Sequence, residues 1–142
     1  MVQIEWTDGM SVGVEMLDQD HQRLIALLNQ LDDLAQGGEG APSILTIIRD
    51  LVRYTEYHFE SEERLMRLSR YPDTDAHVRI HRDIRRRMVS FEQKFLEDPT
   101  QSNLAPLQAF LSNWLTTHIL GEDMKYRPYM TRDATQAPTD AA

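Results

Sequence analysis

Apolar residues recur along this chain at three- and four-residue steps in four separate blocks, each bounded by glycine or proline. That period marks amphipathic helices, because residues three and four apart share one helical face. In the first block Leu17, His21, Leu24, Ile25, Leu28 and Leu31 share a face, which predicts a helix from about Asp18 to the glycines Gly37, Gly38 and Gly40. Pro42 suits the first turn of a second helix, whose stripe is Ile44, Ile48, Leu51, Thr55, His58, Glu62 and Leu65. It ends before Tyr71-Pro72, since a residue preceding proline avoids the helical region. A third helix opens near the cap candidates Asp73 to Asp75 and carries His77, His81, Ile84, Met88, Phe91 and Phe95 toward Pro99. A fourth runs from about Asn103 with Leu104, Leu107, Leu111, Trp114, Leu115 and His118, and Gly121 marks its loosening end.

Residues 1–17 read as an irregular arm pinned by Ile4, Trp6 and Val14. The stretch RPYMTRDATQAPTDAA has no period. The expected division is a helical domain over 1–126 and a disordered tail over 127–142. No stretch alternates in the manner of a strand, and the connections are short. Short connections favour antiparallel neighbours, so the predicted fold is all-α: an antiparallel up-down-up-down four-helix bundle with an irregular N-terminal arm.

Charge narrows the function. The net charge of −8 argues against a nucleic-acid or membrane-surface role, since both want a basic face. Arg82, Arg85, Arg86 and Arg87 are the local exception and read as a solvated helix face. Mean hydropathy is −0.52. No apolar run approaches the roughly 20 residues needed to span a bilayer, and the start lacks an apolar signal-peptide core, so the expected location is the cytoplasm. Cysteine is absent, which excludes disulfides, cysteine–zinc sites and iron–sulfur clusters. Any metal must be held by nitrogen and oxygen, a donor set suited to iron, zinc or manganese.

The five histidines, His21, His58, His77, His81 and His118, all fall on the apolar stripes, at least one per helix. A lone inward histidine is ordinarily a satisfied core residue. Five of five inward is a different matter, because each buried ring nitrogen needs a partner. His77 and His81 stand one turn apart in HVRIH and can bind one ion together. Glu62 lies one turn after His58 in HFESE, so both point to the same spot. Asp123 lies five residues after His118 in HILGED. Five residues turn an ideal helix about 500°, about 140° past a full circuit, so these two converge only if the helix widens there. A buried carboxylate without a cation is costly. Suppose that two carboxylates and a hydroxide bridge two ions. Five histidines then split three and two, leaving one ion closed and the other with an open position for a small ligand.

With these residues in place, the sequence resembles the hemerythrins, and in particular the single-domain bacterial ones, over about residues 4 to 126. The motifs run in family order: DQDHQRL, HFESEERLM, HVRIH and HILGED, with YP before HVRIH and WLTTHI around His118. The resemblance implies a di-iron centre with a bridging oxo or hydroxo group. His77, His81 and His118 would hold the closed iron, His21 and His58 the open one, and Glu62 and Asp123 would bridge. It implies reversible dioxygen binding, for carriage, storage or local supply, in a pocket lined by Leu115, Trp114, Phe59 and Ile119. It does not imply an enzyme. The alternatives are a peroxidase or oxidase on the same scaffold, or an oxygen or redox sensor acting through a partner. Tyr54 and Thr55, one turn before His58, are the polar residues nearest the predicted pocket. Asp18 is expected to cap the first helix. Ferritin-like enzymes are disfavoured, because they use paired Glu-x-x-His motifs and this chain has none.

Overall fold

In a computed structural model of the chain, which describes residues 3–38 and 40–131, the four predicted helices are all present. They are α1 (Glu15–Gln36), α2 (Ala41–Leu68), α3 (Thr74–Glu97) and α4 (Gln101–Thr117). No strand occurs among the described residues. Helix α1 packs on α2 and α4, and α3 packs on α2 and α4. Neighbours around the bundle therefore follow chain order, as the short connections require of an up-down-up-down path. No helix among the described residues is long and apolar enough to cross a membrane.

Two apolar clusters divide the interior. The larger joins Leu24, Leu28, Ile48, Leu51, Ile84, Met88, Leu107 and Leu111, with others, across all four helices. The smaller joins Val12, Leu17, Met66, Tyr71 and Tyr126. Along the chain the histidines lie where one cluster gives way to the other: His21 between Leu17 and Leu24, His58 between Leu51 and Met66, His77 and His81 between Tyr71 and Ile84, and His118 between Leu115 and Tyr126. The site is thus closed at both ends by side chains whose burial is worth about 1.5–3 kcal/mol apiece.

Helix ends depart from the sequence pattern in informative ways. Helix α1 starts at Glu15, not Asp18, and Asp18 does not cap it. Its carboxylate accepts hydrogen bonds from Ser11 Oγ (2.6 Å) and the Val12 amide (2.8 Å), because the arm folds back over the first turn and offers these donors. Asp73 occupies the N-cap position of α3, but its side chain makes no capping bond. Helix α2 closes with Arg70 in the left-handed region (φ 58°). The Tyr71 amide bonds to Met66 O (3.0 Å) and the Arg70 amide to Arg67 O (3.2 Å), the paired bonds of a Schellman end in which glycine is the usual occupant.

The predicted tail boundary moves. After α4 the chain forms a π-helical segment, His118–Asp123, and then a fifth helix, α5 (Met124–Met130). Only Tyr126 is buried on α5, too little for a periodic signal, and Pro128 reads as a breaker in sequence. Residues 127–130 are therefore helical, while 132–142 of the predicted tail lie outside the described residues.

Candidate metal centre

All five histidines and both predicted carboxylates are buried, and their functional atoms converge. Two overlapping groups form. Glu62, His77, His81, His118 and Asp123 make one; His21, His58, Glu62 and Asp123 make the other. Glu62 and Asp123 belong to both, so the histidines split three and two about a shared carboxylate pair. The widening predicted between His118 and Asp123 is the π segment. Its i to i+5 hydrogen bonds enlarge the turn and return residues five apart to one face. His118 Nε2 stands 2.9 Å from Asp123 Oδ1. Gly121 permits this without being sterically required, since a Cβ there would meet no atom within 4 Å.

His77 Nε2 and Glu62 Oε1, 2.9 Å apart, are aligned as a hydrogen bond, but other contacts in the cluster are close without being so aligned. His21 Nε2 is 3.0 Å from Asp123 Oδ2, and His77 Nε2 is 3.1 Å from Asp123 Oδ1. Yet His21 Nε2 and both Asp123 oxygens lack a hydrogen-bond partner. Close atoms that do not point at one another point into common space. His81 Nε2 and His118 Nε2 stand 3.2 Å apart, an arrangement that needs a proton or a cation between the two nitrogens. Orphaned buried donor atoms, imidazole nitrogen and carboxylate oxygen, fit a first-row divalent metal.

The protein's own charges show how strongly this shell attracts cations. Burial lowers the pKa values of His58, His77 and His118, but neighbouring carboxylates outweigh it: Glu62 and Asp20 lift His58 to about 9, and Asp123 with Glu62 lifts His77 to about 9 and His118 to about 10. His21 is raised as well, with burial opposed by Asp123 and Glu62. Burial alone would raise Glu62, but His58, His118 and His21 hold it well below the usual carboxylate range. Burial and Glu62 push Asp123 up, yet His118 and His21 keep it below its ordinary value too. A metal ion occupies the place of such protons.

Three residues at the site went unforeseen. Asp20 places Oδ2 3.0 Å from His58 Nδ1, and Tyr54 OH donates to its Oδ1 (3.0 Å). Glu63 places Oε2 2.8 Å from His81 Nδ1, with Arg85 3.9 Å behind it. Tyr126 OH donates to Glu62 Oε2 (2.8 Å). These pairs lie 38, 18 and 64 residues apart in sequence, so no local spacing announces them. Carboxylates behind ligand-type histidines fix the ring and raise its basicity. Burial, then Asp123 and Glu62, raise Tyr126 well above the ordinary phenol value, so it stays a donor.

The four predicted pocket residues divide. Phe59 stacks on His81 (3.7 Å between centroids, 4° between planes) and meets Trp114 edge-on at 5.7 Å. Trp114 in turn lies 5.8 Å from the His118 ring. Leu115 and Ile119 instead line, with Ile25, Ile4, Met10, Leu120 and Thr116, a mostly apolar crevice beside α1 that is too narrow to hold a water molecule. Tyr54 is tied to Asp20, and Thr55 is buried with its hydroxyl unpartnered.

Fold and site together define a four-helix protein with a buried histidine–carboxylate cluster able to hold metal ions. The hemerythrin HHE cation binding domain matches residues 12–130. A bacteriohemerythrin from Stenotrophomonas maltophilia is 34% identical over 126 residues, which is 89% of this chain and 80% of that one. A myohemerythrin from Theromyzon tessulatum is 28% identical over 87% of this chain and 90% of its own. A crystal structure of wild-type hemerythrin superposes with a TM-score of 0.82 at 26% identity, over 92% of this chain and all of that one. The chain belongs to the hemerythrin family.

Proposed function

We propose that this chain holds two iron ions in the cluster and binds dioxygen reversibly at one of them. The observation that carries this reading is the uneven division of histidines about two shared carboxylates. His77, His81 and His118 would hold one ion and His21 and His58 the other, with Glu62 and Asp123 shared between them. The ion with fewer histidines would be the one left free to take a small ligand. The names of the similar proteins, bacteriohemerythrin and myohemerythrin, support the same assignment. Iron, when bound, supplies the redox chemistry that dioxygen uptake requires.

The chain's own residues do the rest. Asp20 and Glu63 hold His58 and His81 in fixed tautomers through their Nδ1 atoms. Phe59 and Trp114 wall the His81 and His118 side. Leu115, Ile119 and Ile25 present only carbon to the crevice on the α1 side. Water and acids are kept from the ligand, which favours release over decay. No general acid lines that crevice, so carriage, storage or local supply fits better than turnover.

The test is an optical spectrum of the iron-loaded protein, reduced without air and then exposed to it. A colour that forms in air and fades under vacuum is expected. Irreversible conversion to the oxidised form on exposure to air, with no colour that fades under vacuum, would overturn the carrier reading in favour of an enzyme.

A further inference from the structure

The chain has five tyrosines, and the structure threads all of them outward from the cluster. One string begins at Tyr126, fully buried, whose hydroxyl donates to Glu62 Oε2 (2.8 Å) and whose ring lies 5.8 Å from that of His77. Tyr71 follows at 6.3 Å, and half-buried Tyr129 lies 5.3 Å beyond it. The other begins at Tyr54, whose hydroxyl donates to Asp20 Oδ1 (3.0 Å), the carboxylate that also holds His58 Nδ1. Tyr57 follows at 5.6 Å and is 51% exposed, in a groove with Arg23 and Arg53.

Packing accounts for buried aromatic rings in general, but phenylalanine would pack as well. What the hydroxyls add is chemistry. A phenol gives up an electron readily only if its proton leaves with it, and the innermost phenol of each string already donates to a carboxylate. Trp114 is equally near the cluster, at 5.8 Å from His118, but its Nε1 has no hydrogen-bond partner to take a proton.

We propose that the two tyrosine strings conduct oxidising equivalents from the cluster to the surface when a hydroperoxide reaches it, so that damage falls on exposed phenols and not on the ligand histidines. This rests on the proposed metal centre. Hydrogen peroxide takes up two electrons and two protons and leaves as two waters. Two phenols supply one electron and one proton each and become two phenoxyl radicals. The proton of Tyr126 passes to Glu62 Oε2 and that of Tyr54 to Asp20 Oδ1, and both end in the water formed. Each inner phenoxyl then takes an electron from the next ring and a proton from solvent by way of the carboxylate it faces, and the outer phenol that gave the electron releases its own proton to solvent. At the surface two phenoxyls join through one carbon–carbon bond, or each regains a hydrogen atom from a reductant of the ascorbate class.

The experiment treats the full, iron-loaded chain with hydrogen peroxide and locates oxidised tyrosine, dityrosine and oxidised histidine by peptide mass spectrometry, with a freeze-quenched radical spectrum alongside. Marks at Tyr71 and Tyr129 and at Tyr54 and Tyr57 are expected, and chelated protein should lack them. Tyr126→Phe should lose the marks on Tyr71 and Tyr129 and keep those on Tyr57; Tyr54→Phe should do the reverse. Tyr129→Phe and Tyr57→Phe, at the outer ends of the two strings, should together shift oxidation onto the histidines at unchanged iron content. Marks that follow solvent exposure whatever the variant, or that persist in chelated protein, would overturn the strings. If no iron binds, the metal centre falls and the strings with it. If iron binds and dioxygen is reversible while the marks ignore the variants, only the strings fall.

Discussion

Asp20 Oδ2 lies 3.0 Å from His58 Nδ1, and both groups are buried. A carboxylate so placed decides which imidazole nitrogen faces the cluster. Asp20→Ala should therefore weaken metal binding by about 10–100-fold while leaving the helical content intact. Asn at this position can serve His58 or Tyr54 but not both as an acceptor, and should fall between. Competition against a chelator of known affinity measures this. Equal affinity in all three proteins would remove Asp20 from the site.

Metal-free protein, prepared by chelation, should lose stability as pH rises. His58 and His77 titrate at about 9 and His118 at about 10, against 6.5 in the unfolded chain. Between those limits the folded state binds more protons than the unfolded one. The stabilisation is fully present below about pH 6.5 and disappears as pH passes through about 9 to 10. Metal replaces those protons, so the loaded protein should show no such decline. Urea unfolding of both forms across that window checks it; parallel curves would contradict the assignment.

Leu115 is buried against the apolar crevice. Leu115→Ala should keep its iron, lose about 2–5 kcal/mol of stability, and convert faster to the oxidised form because water gains access. Iron content, unfolding midpoints and the decay of the air-exposed spectrum separate these effects. An unchanged decay rate would take Leu115 out of the ligand's path.

Arg70 holds a left-handed conformation at the end of α2 with a side chain exposed to solvent. That conformation costs an L-residue about 1–2 kcal/mol, part of which glycine forfeits through its freer unfolded chain. Arg70→Gly should raise stability by about 0.5–1 kcal/mol without altering metal content, read from urea midpoints. A destabilised variant would show that the arginine side chain outweighs the strain.

The sequence by itself determined the helices, their order and the inward histidines, because helical period is a local property. Leu17, His21, Leu24 and Leu28 face one way whatever lies opposite. It also demanded a widened turn between His118 and Asp123, since an ideal helix would hold them apart, and the π segment answers that demand. Chain folding in three dimensions decided the rest. Asp18 looked like a cap until the arm supplied Ser11 and Val12 as donors. Asp20, Glu63 and Tyr126 acquired their partners only when helices distant in sequence were packed side by side. Phe59 and Trp114 parted from Leu115 and Ile119 because helical spacing gives the face of a residue but not the neighbour it meets. Ligand-type residues repeat with the helix and can be read along it; the groups that orient them come from across the bundle, where only packing brings them into reach.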